Sequence, residues 1–328
     1  MELFTSLQGI GALLLLALSP WVLLALFSAL ADTCVGFIDE WLLTKVESGD
    51  SQADAPGRLV LLSGFFGFVV CAGAAVVLGV HTQYSLQIPA VSLYFALLAG
   101  IIEVLWLIPY FYALERAGAV TATPLLQAIP VFALIFGLLF FSEVPSAIHI
   151  LATALIIGGA ILLNYSNKLK IIDKKTILLM FLASALISVS LFFFKESEST
   201  GNFVASVFGN GLGMGIASTF IWLLWKPYRT QFNQFLKSFN KKVLFGQFAN
   251  ETLYGAGALA GQLAIVLGPS VMIVTAFNAF HPLFTLSGGW LLAKQGSKTH
   301  QEIFKKRERT PKIFGVLLIA LGAALVVF

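Results

Sequence analysis

The chain has 328 residues, of which 58% are hydrophobic and only 11% are charged. Soluble domains carry about 25% charged residues, and a water-soluble fold of this size could not bury so much apolar surface. The composition therefore excludes a soluble globular protein and predicts an integral membrane protein. The formal net charge of +4 does not indicate a nucleic-acid partner, because the basic residues of a membrane protein follow its topology.

Apolar windows between charge clusters predict an all-α integral membrane protein with ten transmembrane helices, since each crossing needs about 20 apolar residues. The windows cover residues 20–43, 58–80, 91–114, 118–142, 146–165, 175–195, 203–225, 243–267, 270–293 and 312–328. The run Leu7–Leu18 is apolar but short, and it could extend the first span or form an interfacial helix. The first 19 residues contain no Lys or Arg, which disfavours a cleaved signal peptide.

Polar segments fix the connections between spans. The link 267–270 is so short that the eighth and ninth spans must be antiparallel neighbours. Residues 294–312 are strongly charged and predict a solvated loop, with Pro311 in the first turn of the last helix. Cys34 and Cys71 fall inside apolar runs, which favours buried thiols over a disulfide or a metal site.

The two halves of the sequence resemble each other, which indicates an internal duplication. The matching segments are Ser28-Ala-Leu30 with Ser184-Ala-Leu186, Ile129-Pro-Val-Phe132 with His281-Pro-Leu-Phe284, and residues 155–162 with 318–325. We expect an apolar extension over 1–19, a first five-helix repeat over 20–167 and a second over 168–328. Because five is an odd number of crossings, the repeats must lie in the membrane with opposite orientations, as in many transporters.

Several motifs of the first half resemble the first EamA repeat of the drug/metabolite transporter superfamily. They are Tyr110-Phe-Tyr-Ala-Leu114, Thr121-Ala-Thr-Pro124, Pro130-Val-Phe132, Glu143 and Leu155-Ile-Ile-Gly-Gly159. The resemblance is clearest over 98–165 and fainter over 243–328. It implies an inverted-repeat fold around a central cavity lined mainly by helices 1, 3, 4, 6, 8 and 9. Glu143 has Lys294-Gln295 at the equivalent place in the second half, so these ends are not expected to play symmetric roles.

Basic residues predict the orientation in the membrane. All Lys and Arg residues except Lys195 fall at or near the loops that follow odd-numbered spans. The positive-inside rule places those loops in the cytoplasm and both termini outside, whereas members of the superfamily usually have both termini in the cytoplasm. A separate helix at Leu7–Leu18 would return the N-terminus to the cytoplasm without moving any other loop.

Ionisable residues within the spans are candidate substrate or proton sites, because charge inside a membrane is costly. Asp32 lies in the first span on the same face as Asp39, and Glu103 and Glu251 lie at similar depths of the third and eighth spans. The alternatives are a helix break or interface for Asp32, a structural hydrogen bond for Glu103 and a solvated helix end for Glu251. His281, in the ninth span, could equally be a core histidine.

Aromatic and polar neighbours complete the predicted binding site. Trp106 lies one helical turn from Glu103, and an aromatic ring beside a carboxylate suits a cationic or zwitterionic guest. Tyr110 belongs to the same aromatic stripe, which could also be core or lipid-facing. Gln127 and Asn278 supply further polar groups in the fourth and ninth spans.

Prolines inside the spans are candidate helix bends that could act as gates. They are Pro109, Pro124, Pro130 and Pro282. Each removes a backbone hydrogen bond, and Pro130 and Pro282 occupy matching positions of the two repeats. A purely structural role in shaping the helices would explain them equally well.

The sequence predicts a secondary active transporter rather than an enzyme. It contains no phosphate-binding loop, no metal-ligand spacing and no convincing catalytic triad, so we expect no cofactor. Acidic residues in the spans, with almost no basic ones, favour small amines or amino acids over phosphorylated sugars. We expect an exporter in a bacterial inner membrane, working by alternating access and coupled to protons. A flippase for lipids or lipid-linked metabolites and a non-transporting scaffold or sensor are the alternatives, and the oligomeric state is open.

Overall fold

The computed structural model describes residues 19–46, 55–82, 89–117, 122–140, 144–164, 173–238, 241–281, 283–284, 287–288 and 309–325. Within these ranges every regular element is helical. The α-helices are α1 (Pro20–Val46), α2 (Ala55–Thr82), α3 (Ala90–Ala117), α4 (Ile129–Phe140), α5 (Ala147–Asn164), α6 (Lys174–Thr200), α7 (Phe203–Leu224), α8 (Lys226–Ser238), α9 (Lys241–Leu267), α10 (Val271–Ala276) and α11 (Arg309–Leu325). A helix satisfies its backbone polar groups internally, which a membrane demands.

Five of the described helices are long and apolar enough to cross a membrane. Their apolar windows are Pro20–Asp39, Pro56–Val80, Ala90–Ala117, Lys174–Thr200 and Phe203–Leu224. Large apolar side chains such as Val69, Val80 and Leu178 point outwards, where lipid would cover them. The chain is therefore an integral membrane protein whose described regular elements are all helices, and the full count of ten crossings stays a prediction.

The fourth and ninth predicted spans are not continuous α-helices. A 3-10 segment, Thr123–Ala128, precedes α4, and a second, Phe277–Phe280, follows α10. Pro124 is the second residue of the first 3-10 segment, and Pro130 is the second residue of α4, which follows that segment directly. Both prolines therefore lie near the change from 3-10 to α-helical geometry, and their role as bends stays a prediction. Pro109 does lie inside α3.

Helix α8 lies between the seventh and eighth predicted spans, in a segment that contains no predicted span. Three side chains of this helix, Tyr228, Gln231 and Phe235, recur at helical spacing and are buried. They pack against α2, where the Arg58 guanidinium lies 5.0 Å from the centre of the Phe235 ring. A short polar segment with this periodicity forms an amphipathic helix that covers the N-terminal end of α2.

Side chains at two helix starts fix how α6 and α7 begin. The Asp173 carboxylate accepts a hydrogen bond from the Thr176 backbone, and Asn202 accepts one from the Ala205 backbone at 2.9 Å. Asp173 also pairs with Arg116 at 2.6 Å, which ties the end of α3 to the start of α6. The Thr176 backbone N–H, followed by Arg116, lowers the pKa of Asp173 to about 2.

Pairs of helices enclose the interior. Helix α3 packs against α6 and α7, α2 packs against α7, α1 packs against α9, and α5 packs against α11. The α3–α7 crossing is so close that a Cβ atom on Gly213 would lie 3.0 Å from the Cα atom of Gly100. Small residues permit this approach, and the approach supplies the packing on which helix association in lipid depends.

Candidate functional site

Helix α1 presents two carboxylates on its inner face. Asp32 lies about mid-way along the described helix, and Asp39 lies two turns closer to its C-terminal end. Both line the same cavity, and the Asp39 side chain is almost fully buried. They share a face because two turns of an α-helix take about seven residues. The structure thus places Asp32 away from both described ends of α1.

Glu103 of α3 joins three helices. The Ser190 hydroxyl of α6 donates to its Oε2 at 2.8 Å, and the Tyr254 hydroxyl of α9 donates to its Oε1 at 2.7 Å. Trp106, one turn along α3, also contacts this carboxylate, and Asp32 lies close enough to repel its charge. Glu103 is therefore held in place by hydroxyl donors from two neighbouring helices.

Asp39 is held in a second polar cluster nearer the C-terminal end of α1. The Asn250 side-chain amide of α9 donates to Oδ1 at 2.8 Å, and the Tyr110 hydroxyl of α3 approaches Oδ2 at 3.3 Å. These bonds tie α1 to α3 and α9. Tyr110 also stacks edge-to-face on Trp106, with ring centres 5.3 Å apart, so the predicted aromatic stripe connects the two carboxylate positions.

Glu251 belongs to this second cluster. The Ser63 hydroxyl of α2 and the Gln247 amide of α9 both donate to its Oε1 at 2.6 Å. The side chain is only 2% exposed and lines the cavity. This position differs from a solvated helix end, the alternative that the sequence left open.

A cavity of about 160 Å³ lies between these groups. An apolar cavity of similar size admits a ligand as large as benzene, so this one suits a small metabolite. Its described walls come from α1, α3, α6 and α9, from the fourth and ninth spans, and from Ser63 of α2. They contain four carboxylates and no Lys or Arg among the described residues. The resulting site is acidic.

The structure describes the remaining predicted site residues only in part. His281 lines the cavity and lies against the backbone of Asp32. Gln127 and Asn278 lie in the two 3-10 segments, but their side chains fall outside the described part of the structure. Pro282 is also outside the described residues.

Sequence reasoning missed several partners of the carboxylates. Tyr254 lies one turn from Glu251 on α9, so helical spacing could have drawn attention to it. Ser190 and Ser63 gave no such signal, because each hydroxyl meets a carboxylate on a different helix. Such contacts become visible only when the pairing of helices is known.

Comparisons with known proteins agree with this architecture. Residues 19–165 match the model of the EamA-like transporter family. A crystal structure with 16% sequence identity superposes with a TM-score of 0.58 over 90% of this chain and 95% of its own, which shows a shared fold. No curated protein matches the sequence. Residues 19–165 thus match the EamA-like transporter family, which confirms the predicted resemblance of this part of the chain to the drug/metabolite transporter superfamily.

Proposed function

We propose that this protein is a secondary active transporter of small amines or amino acids, working by alternating access as an exporter in a bacterial inner membrane. The observation that carries the proposal is the pair Asp32 and Glu103, which face one cavity whose described walls hold four carboxylates and no Lys or Arg side chain. Such a cavity attracts a positively charged group and repels phosphates and organic anions. A transporter of phosphorylated sugars would need the opposite charge.

Asp32 is the proposed anchor for the substrate ammonium group. No described side chain donates a hydrogen bond to its carboxylate, whereas Glu103 already accepts bonds from Ser190 and Tyr254. A buried carboxylate without a donor is stabilised by a bound cation. Trp106, beside Glu103, offers an aromatic face that can strengthen this binding through a cation–π contact.

The contacts between α5 and α11 support two halves of opposite orientation. A Cβ atom on Gly159 would meet the backbone of Gly315 and Ile319, and one on Gly322 would meet the backbone of Ala152 and Ile156. In both sets the two helices run antiparallel. When each residue of α5 is replaced by its repeat partner in α11, and each residue of α11 by its partner in α5, the first set of contacts becomes the second. An inverted repeat produces this relation between its fifth and tenth helices.

The same exchange relates other helix pairs. Helix α1 of the first half packs on α9, and α6, the counterpart of α1, packs on α3, the counterpart of α9. Alternating access would rock these pairs about the α5–α11 contact. Pro109 and the two 3-10 segments, with Pro124 and Pro130, are where we place the bending, and Pro282 is the proposed equivalent in the second half.

Thermal unfolding of the purified protein tests the proposal. The ligands would be choline, putrescine, amino acids, nucleotide sugars and organic anions. At about 100 times its dissociation constant, a ligand that binds only the folded state should stabilise it by about 2.7 kcal/mol. We expect an amine to stabilise the wild type and to lose that effect in Asp32→Asn.

The other outcomes identify the rival functions. Stabilisation by anions alone would contradict the acidic-site proposal. Lipids that co-purify and stabilise the protein would favour a flippase, and the absence of any response, with Asp32 and Glu103 tolerant of substitution, would favour a scaffold or sensor.

A further inference from the structure

The cluster of Asp39 and Glu251 is separate from the proposed ammonium anchor. Asp39 lies two turns from Asp32 on α1, and Glu251 lies one turn from Tyr254 on α9. Both carboxylates are at least 97% buried and lie close enough for their charges to interact. The substrate proposal assigns them no task.

Among the described residues, no basic side chain forms an ion pair with either carboxylate of this cluster. Helices α1, α3 and α9 contribute Asp32, Glu103, Tyr110 and Tyr254, which are acidic or neutral. The one basic side chain of α2 in the described surroundings, Arg58, packs on the ring of Phe235 in α8. His281 faces the Asp32 backbone. Two neighbouring buried carboxylates without a cation cannot both be ionised at acceptable cost.

One buried amide oxygen beside the cluster lacks a hydrogen-bond donor in the described structure. Asn250 is only 2% exposed, and its amide is directed into the cluster by the bond from Nδ2 to Asp39. Its Oδ1 has no donor within the described structure. Rotating the amide by half a turn would bring Oδ1 to Asp39, where only a protonated carboxyl could donate to it. Buried acceptors are nearly always hydrogen-bonded, and a protonated carboxyl of the cluster would supply the donor for this one.

A proton fits this cluster better than a metal cation. A sodium ion needs several oxygens free to coordinate it, but Ser63, Gln247 and Asn250 already direct donors at the carboxylate oxygens. A proton needs only one carboxylate oxygen and one acceptor. It also turns a carboxylate into the donor that Asn250 lacks.

We infer that Asp39 and Glu251 form the site of the coupling proton, distinct from the substrate anchor at Asp32 and Glu103. This inference rests on the proposed transport function. The proton comes from solvent on one side, converts one carboxylate of the pair to a carboxylic acid, and leaves to solvent on the other side. The protonated cluster holds α1, α2 and α3 against α9, and its deprotonation leaves two repelling anions that drive α1 and α9 apart.

Infrared difference spectroscopy of the ligand-free protein tests the proton site without any substrate. The wild type should show a carboxylic-acid C=O band that disappears as the pH is raised. The band should be lost in Glu251→Gln or in Asp39→Asn, two near-isosteric changes. Glu115→Gln, which removes an exposed carboxylate at the end of α3, is the control and should leave it unchanged. A band that survives both cluster variants would overturn the inference.

Transport in liposomes tests the coupling, with radiolabelled choline as the probe. A pH gradient should drive choline accumulation by the wild type at least tenfold above that by Glu251→Gln, whereas the control Glu115→Gln should accumulate choline as the wild type does. Equal pH-driven accumulation in the two proteins, or accumulation driven by sodium at equal pH on both sides, would contradict proton coupling here. Absence of choline exchange in the wild type would count against the proposed function, and the infrared result would still decide the proton site.

Discussion

Hydroxyl groups donate hydrogen bonds to three of the four described carboxylates of the cavity. The Tyr254 bond to Glu103 is short, at 2.7 Å, whereas the Tyr110 hydroxyl lies 3.3 Å from Asp39. Hydrogen bonds to charged acceptors become stronger as they become shorter. A buried acceptor that loses its donor destabilises the folded protein. The two tyrosines are therefore unequal partners, although both reach a carboxylate on another helix.

Removing each hydroxyl separately should reveal this difference. We expect Tyr254→Phe to destabilise the protein more than Tyr110→Phe, by on the order of 1 kcal/mol, because it removes the shorter bond. Chemical denaturation in detergent, followed by tryptophan fluorescence, would measure the two losses. Equal losses would show that the length of these bonds carries no energetic weight.

The acidic residues of the cavity were predictable, but their partners were not. Asp32, Glu103 and Glu251 stand out as charges inside apolar windows, which needs no knowledge of the fold. The bonds from Ser190 and Tyr254 join residues far apart in sequence, and helical periodicity relates only residues of one helix.

At the scale of helices, close backbone contact joins α5 to α11. A Cβ atom on Gly159 would lie 2.5 Å from the Gly315 carbonyl oxygen, whereas one on Gly158 would have nothing within 4 Å. The two adjacent glycines therefore face different environments. The repeated motif that contains Gly159 is visible in the sequence, but the packing of its two copies against each other is visible only in the structure.

Alanine substitutions at these two glycines should affect the stability of the protein differently. Gly159→Ala should destabilise the protein by about 1–3 kcal/mol because the added methyl group overpacks the contact. Gly158→Ala should be neutral or stabilising, since alanine favours a helix by about 1 kcal/mol over glycine. Thermal unfolding in detergent would compare them.

Gly322→Ala provides a test of the symmetry. Its Cβ atom would lie 2.6 Å from the Ala152 carbonyl oxygen, so its effect should match that of Gly159→Ala. A loss at one glycine only would argue against equivalent halves.

The ends of a helix could be predicted from the sequence where charged residues end an apolar window. They could not be predicted where other features set them. The bounds of α1, α3 and α7 lie within a few residues of the predicted spans, because charge clusters end the apolar windows. Helix α8 is too short and too polar to register as a span, and only its periodicity marks it. The 3-10 segments depend on proline and on packing, which apolar windows do not report.

For the molecule as a whole, the distribution of basic residues predicts which loops face the cytoplasm. Helix α8 carries exposed Lys226 and Lys237, and it covers the start of α2, whose preceding loop is predicted to be cytoplasmic. The short link Gly201–Asn202 between α6 and α7 lies on the opposite side in this topology.

Thiol labelling would test that orientation. In a background with Cys34→Ser and Cys71→Ala, a reagent that cannot cross the membrane should label Ser199→Cys in intact cells. It should label Lys237→Cys only after the membrane is opened. The reverse pattern would place the basic loops outside and contradict the positive-inside prediction.

Choline exchange in liposomes would show whether the acidic cavity binds and carries a small cation. Wild-type protein loaded with unlabelled choline should take up labelled choline, Asp32→Asn should lose at least nine-tenths of that rate, and the Glu115→Gln control should keep it. Lysine and putrescine should compete with the labelled choline, and a nucleotide sugar should not. Exchange that is unchanged in Asp32→Asn, or inhibition by the nucleotide sugar instead of the amines, would contradict the account.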